Sequence, residues 1–141
     1  MAKSFLQLVA TASRHAEAEG AGDLEGILAT LEGEPVYEFY PVRRRFRGMK
    51  QTRRFYEHFI SDVQARMRGA EPIGEWVGAL GVVQEYEILV QLAGAAAPSS
   101  HRIMALLKFG AEGLSGERMY ADDALLRTLC GPLWDELEPI P

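Results

Sequence analysis

Two carboxylates, Glu85 and Glu87, stand two residues apart in a stretch, residues 82–92, that reads as a β-strand. Alternate residues of a strand leave the same face, so both side chains point the same way. If that face lines an apolar cavity, mutual repulsion and poor solvation raise the pKa of at least one carboxyl, as a general acid or base requires. If it faces solvent or a partner chain, as one face of an antiparallel sheet commonly does, the pair is inert. Glu87 is the candidate base, with Glu85, Tyr40 and His15 as its partners. His15 lies between Ala12 and Ala16 in a helical pattern and could exchange a proton near neutral pH; the competing reading is a solvent-facing helix residue. Tyr37 and Tyr40 leave opposite faces of one short strand, so only one of them is expected to reach a cavity.

Ligand contacts are expected from the aromatic residues Tyr37, Phe39, Phe55 and Trp76. Met104, Met119 and Arg45 complete that set. The bland reading of the aromatics is core. Glu117 and Arg118 read as an exposed pair on the last strand, or as part of a subunit contact. His15, His58 and His101 do not fall at metal-ligand spacing, so no metal is expected, and no cofactor. There is no glycine-rich phosphate loop. Gly113-Leu114-Ser115-Gly116 lacks the spacing of a nucleophile elbow.

The chain has 141 residues, which fits one domain spanning 1–141. Its 48% hydrophobic and 25% charged residues are those of a globular protein, not a disordered one. No apolar run reaches the roughly 18 residues of a membrane helix, and no membrane partner is expected. The run Phe5–Ala10 is short for a signal peptide, and Cys130 is the only cysteine; a reducing cytoplasm is the expected compartment. Charge is uneven. Residues 43–54 hold seven basic residues and no acid, leaving eight to face all 20 acids elsewhere. Such a run is either a solvated segment paired with the acidic body or an anion-steering patch. The acidic remainder and the lack of a recognition motif argue against nucleic acid.

The elements that must position these residues follow from periodicity. Phe5, Leu8, Val9, Ala12 and Ala16 line one face of a helix over residues 4–19, ended by Gly20-Ala21-Gly22. A second helix runs from Asp23 to about Leu31. Val36–Tyr40 reads as a strand stopped by Pro41, and a basic loop continues to Gly48. A third helix spans about residues 49–67. Residues 73–80, 82–92, 101–109 and 116–121 read as strands of an antiparallel meander, followed by a helical turn over Asp123–Cys130. Helices segregated from an antiparallel sheet make the class α+β.

Asp23-Leu24-Glu25-Gly26-Ile27, then Val36-Tyr37-Glu38-Phe39, then Gly48 opening a helix with Arg54-Phe55-Tyr56, resembles the first half of SnoaL-like proteins. Glu117–Asp122 followed by Leu125, Leu126 and Leu129 resembles their last-strand signature. The resemblance covers almost the whole chain. It implies the nuclear transport factor 2-like cone, a curved antiparallel sheet wrapped around three N-terminal helices, with a small-molecule pocket between them and often a homodimer through the outer sheet face. Relatives include ketosteroid isomerase, limonene epoxide hydrolase, polyketide cyclases and modules without chemistry. The isomerase base falls at Tyr40, its helix Tyr near His15 and its second acid near Ala105. The epoxide hydrolase Arg-x-Asp pair falls at Glu85 and Glu87, and its third carboxylate at Met119. The resemblance therefore leaves two readings open: an acid–base isomerase, cyclase or hydrolase on an apolar or anionic organic substrate, and a non-catalytic binding or assembly module.

Overall fold

The computed structural model describes residues 2–141. The first helix, α1 (Phe5–Ala21), starts at a reciprocal cap. The Ser4 hydroxyl accepts from the Gln7 N–H, and the Gln7 side chain accepts from the Ser4 N–H. It ends at Gly22, which adopts the left-handed conformation and returns its N–H to the last helical carbonyls. Asp23 then caps α2 (Leu24–Ala29). Strand β1 (Leu31–Phe39) follows at once and starts earlier than the sequence pattern predicts.

The basic segment is not simply a loop. A 3-10 turn over Tyr40–Val42 reverses the chain, and β2 (Arg44–Arg47) runs back antiparallel to β1. One residue anchors this return: Phe46 is buried and stacks on Tyr37 with ring centroids 4.9 Å apart. Helix α3 (Met49–His58) passes into a π-helical segment, Phe59–Val63, and a closing turn, α4 (Gln64–Arg66).

Four strands form the meander: β3 (Met67–Gly78), β4 (Gly81–Val90), β5 (Ser99–Phe109) and β6 (Leu114–Tyr120). β3 begins at Met67 and runs through Gly69–Pro72, which the sequence reads as a break. It is the sheet's edge strand, and two register shifts absorb its glycines and proline. Helix α5 (Asp123–Cys130) and a 3-10 stretch, Gly131–Glu136, lead to β7 (Glu138–Pro139). The sheet order is β3-β4-β5-β6-β1-β2-β7. All neighbours are antiparallel except β1 and β6, which pair parallel.

The core lies between the inner face of this sheet and the helices. Tyr37, Phe39, Phe46, Phe55 and Tyr56 form its aromatic centre, with Leu125, Leu126 and Leu133 beneath. Trp76, Met104 and Tyr120 remain exposed. No helix among the described residues is long and apolar enough to cross a membrane.

Candidate functional site

Between sheet and helices lies a cavity of ≈ 190 Å³. Its polar wall is built by five elements, with Gln64 coming from α4. α1 contributes Glu19, α3 contributes Tyr56, β4 contributes Gln84 and Tyr86, and β6 contributes Glu117. The apolar wall includes Phe55, Phe59, Ala105, Leu107 and Met119. Gly20 and Ala70, both exposed, lie at its rim.

Behind this wall the polar groups converge on one imidazole. His15 Nε2 lies 3.0 Å from Glu19 Oε1, 3.0 Å from Glu117 Oε1 and 3.1 Å from the Tyr56 hydroxyl. Tyr56 donates to Glu19 at 3.0 Å, and the Tyr37 hydroxyl lies 2.7 Å from that of Tyr56. The other ring nitrogen fixes the ring. Thr30 Oγ1 donates to the Ile27 carbonyl at 2.6 Å, so it accepts from His15 Nδ1 at 2.7 Å. Nδ1 therefore carries a proton, and Nε2 faces the acids.

The electrostatics follow from burial and count. Burial alone would lower the His15 pKa, but the Glu19 and Glu117 carboxylates outweigh it and push it up to about 10. Burial also raises the Glu117 carboxyl, with the Glu19 charge adding to it and His15 opposing. Both shifts have one sense: a desolvated trio of two acids and one base holds protons more tightly than the separate groups. Tyr37 and Tyr56, fully enclosed, are raised well above the ordinary phenol value and stay protonated. The three groups also offer ligand atoms within 4.8 Å of one another, close enough for a metal ion. A metal ion there would have to displace the Nε2 proton, which otherwise stays shared among the trio.

The sequence-predicted residues divide sharply. His15 is buried at the cluster's centre, and the solvent-facing alternative is excluded. Tyr37 points inward and Tyr40 does not: Tyr40 lies on the outer side, under the Arg118 guanidinium at 4.9 Å. Glu85 and Glu87 are a correction. Gln84, Tyr86 and Ile88 line the cavity, so their strand neighbours face out, where both carboxylates grip Arg102 at 2.8 and 2.6 Å. Glu117 is the opposite correction. It is 3% exposed and faces inward, while Arg118 faces out to Glu38. Alternation held that signal, because Met119, two residues on, must share the Glu117 face. Glu19 carried no motif, and Tyr56 stood in the Arg54-Phe55-Tyr56 motif without a role assigned to it.

Of the expected ligand contacts, Phe55 and Met119 line the cavity. Phe39 is buried against Phe46 and Phe55 instead. Trp76 and Met104 do not line it; they lie 53% and 36% exposed. Arg45 is paired with Glu138 at 3.1 Å. Most of the basic run is similarly engaged: Arg47 with Glu138, Arg53 with Glu25, Arg54 with Glu136, Arg43 over the Tyr40 ring and Arg44 over the Trp134 ring. The solvated, paired reading of that run therefore describes it, rather than a free anion patch. A separate chain, Ser99–His101–Asp122, joins at 2.7 and 2.5 Å away from the cavity. Asp122 is also the N-cap of α5, so this chain fastens that helix to β5.

No protein-family model matches the chain, and no curated protein matches it in sequence. Solved structures do match in shape. A nuclear transport factor 2-like protein of unknown function from Burkholderia pseudomallei is 18% identical, with a TM-score of 0.69 over 92% of this chain and 99% of that one. A steroid delta-isomerase from Pseudomonas aeruginosa is 12% identical, with a TM-score of 0.66 over 88% and 85%. A protein with a ketosteroid isomerase-like fold from Catenulispora acidiphila, in complex with trimethylamine, is 13% identical, with a TM-score of 0.63 over 84% and 91%. The chain has the nuclear transport factor 2-like fold.

Proposed function

We propose that this nuclear transport factor 2-like chain binds a small organic molecule in the cavity between α1, α3 and the sheet, and moves a proton on it. One observation carries the reading: Glu117 is a buried carboxyl that both faces the cavity, opposite apolar side chains, and touches a protonated imidazole. Its raised pKa brings it towards the range in which a carboxyl exchanges protons at physiological pH. A proton leaves a C–H or O–H bond of the ligand for Glu117, and the electron pair stays on the ligand. Tyr56, lining the cavity and held protonated, meets the developing negative charge by turning its one O–H from Glu19 to the ligand. His15 positions Glu117 and holds a compensating charge behind it. The complex of the Catenulispora acidiphila protein with trimethylamine supports a very small ligand for a chain of this fold.

A second reading, a module that holds its ligand unchanged, has its own support. The cluster is internally saturated: Tyr56 is bonded to Glu19, Tyr37 to Tyr56 and Thr30 to Ile27. Native mass spectrometry of gently purified protein identifies any retained ligand, and reads whether two copies associate. With that ligand as substrate, Glu117→Gln is expected to lower turnover by about 10²-fold or more, while Glu87→Gln leaves it unchanged. Equal turnover by wild type and Glu117→Gln would remove Glu117 from the chemistry, and no turnover by wild type would leave the binding reading alone standing.

A further inference from the structure

The charges around the cavity specify what it holds, given the reading above that it is a ligand site. Glu19 and Glu117 are the only ionised side chains its lining can offer; no Lys, Arg or His lines it. His15, just behind, brings one positive charge against those two acids. With both carboxylates ionised the trio keeps one negative charge, and solvent screens it poorly at His15 and Glu117, which are buried. Phe55, Tyr56, Phe59 and Tyr86 add their rings to the same wall. Aromatic faces attract cations, and more strongly where water is excluded. An organic anion would meet like charge here, and a neutral molecule would leave the surplus uncompensated.

We propose that the cavity takes a small organic amine in its ammonium form, with an apolar body of about one ring. The charge follows from the trio, and the size follows from the volume. A buried cavity of about 150 Å³ accepts benzene, and this one measures ≈ 190 Å³. The ammonium donates to Glu117 and Glu19, and the ring or alkyl body lies against Phe59, Leu107 and Met119. A bound cation also keeps Glu117 ionised, the form in which a carboxyl can act as a base.

Isothermal titration with three molecules of one shape and different charge tests this: benzylamine, benzyl alcohol and benzoate. Benzylamine is expected to bind at least about tenfold more tightly than benzyl alcohol, and benzoate most weakly. Glu117→Gln and Glu19→Gln, each checked for an unchanged circular dichroism spectrum, are expected to erase that preference, and the outward-facing Glu87→Gln to keep it. Glu19 is partly exposed, so its variant remains informative if Glu117→Gln fails to fold. Benzyl alcohol or benzoate binding as tightly as benzylamine overturns the amine assignment and leaves the cavity reading standing. Binding by none of the three overturns both for molecules of this size.

Discussion

His15 is the residue on which the inner cluster turns, and its titration should be visible in stability. The groups facing it come from every surrounding element: Glu19 from its own helix, Thr30 after α2, Tyr56 from α3 and Glu117 from β6. Its pKa is raised from 6.5 to about 10 on folding. Stability from this group is therefore complete below about pH 6.5 and is lost as pH rises through about 10. Glu117, raised from 4.5, works in the same sense over a window that opens at 4.5. Melting curves in denaturant from pH 7 to 10 should show stability falling, at up to about 1.4 kcal/mol per pH unit for one proton. The paired substitution His15→Gln with Glu117→Gln should flatten that fall; an undiminished slope would place the titrating group elsewhere. The cluster was only half legible in the sequence. A lone histidine on a helix and a tyrosine on a strand are visible as types, but which acid they meet depends on strand register. A one-residue choice of face exchanges Gln84 and Tyr86 for Glu85 and Glu87.

Among the elements, β6 aims the key carboxyl, and a glycine makes that possible. Gly116 has φ of 136°, and an added Cβ would overlap the Val36 carbonyl oxygen of β1. The parallel β1–β6 pairing shifts register between Leu31 and Val36, and Gly116 pairs with Val36 just past the shift. Gly116→Ala should therefore destabilise by at least about 2 kcal/mol, read by urea unfolding. Gly33→Ala, at φ of 55° with nothing near its Cβ, isolates the backbone strain and should cost only about 1 kcal/mol. Equal losses would deny the close approach its role. Most elements were readable because periodicity and capping agree along the chain: Ser4 with Gln7 starts α1, and Asp23 starts α2. β2 and β7 were not, since strands of four and two residues carry too few alternations to register. They exist through tertiary contacts, Phe46 on Tyr37 and Glu138 against Arg45 and Arg47.

For the whole molecule, the cavity is a place where function and stability oppose each other. A well-packed domain fills such a space, and each methylene buried there adds about 0.8 kcal/mol when it fits without strain. Ala105 is the position to fill. It lies on β5 and lines the cavity with Ile103 and Leu107, and nothing polar depends on its side chain. Ala105→Leu should raise the melting temperature by a few degrees, with a gain of up to about 2 kcal/mol, because three carbons enter space that packing leaves open. The same change should abolish capture of the small ligand, since the added side chain takes a substantial part of ≈ 190 Å³. Scanning calorimetry and ligand titration on one preparation measure both effects. A more stable protein that no longer binds is what a cavity kept open for a ligand predicts. A variant that is more stable and binds as before would place the ligand elsewhere. A destabilised variant would show that the open space is unable to relax around a larger side chain, so that Ala105→Val becomes the substitution that decides between the two.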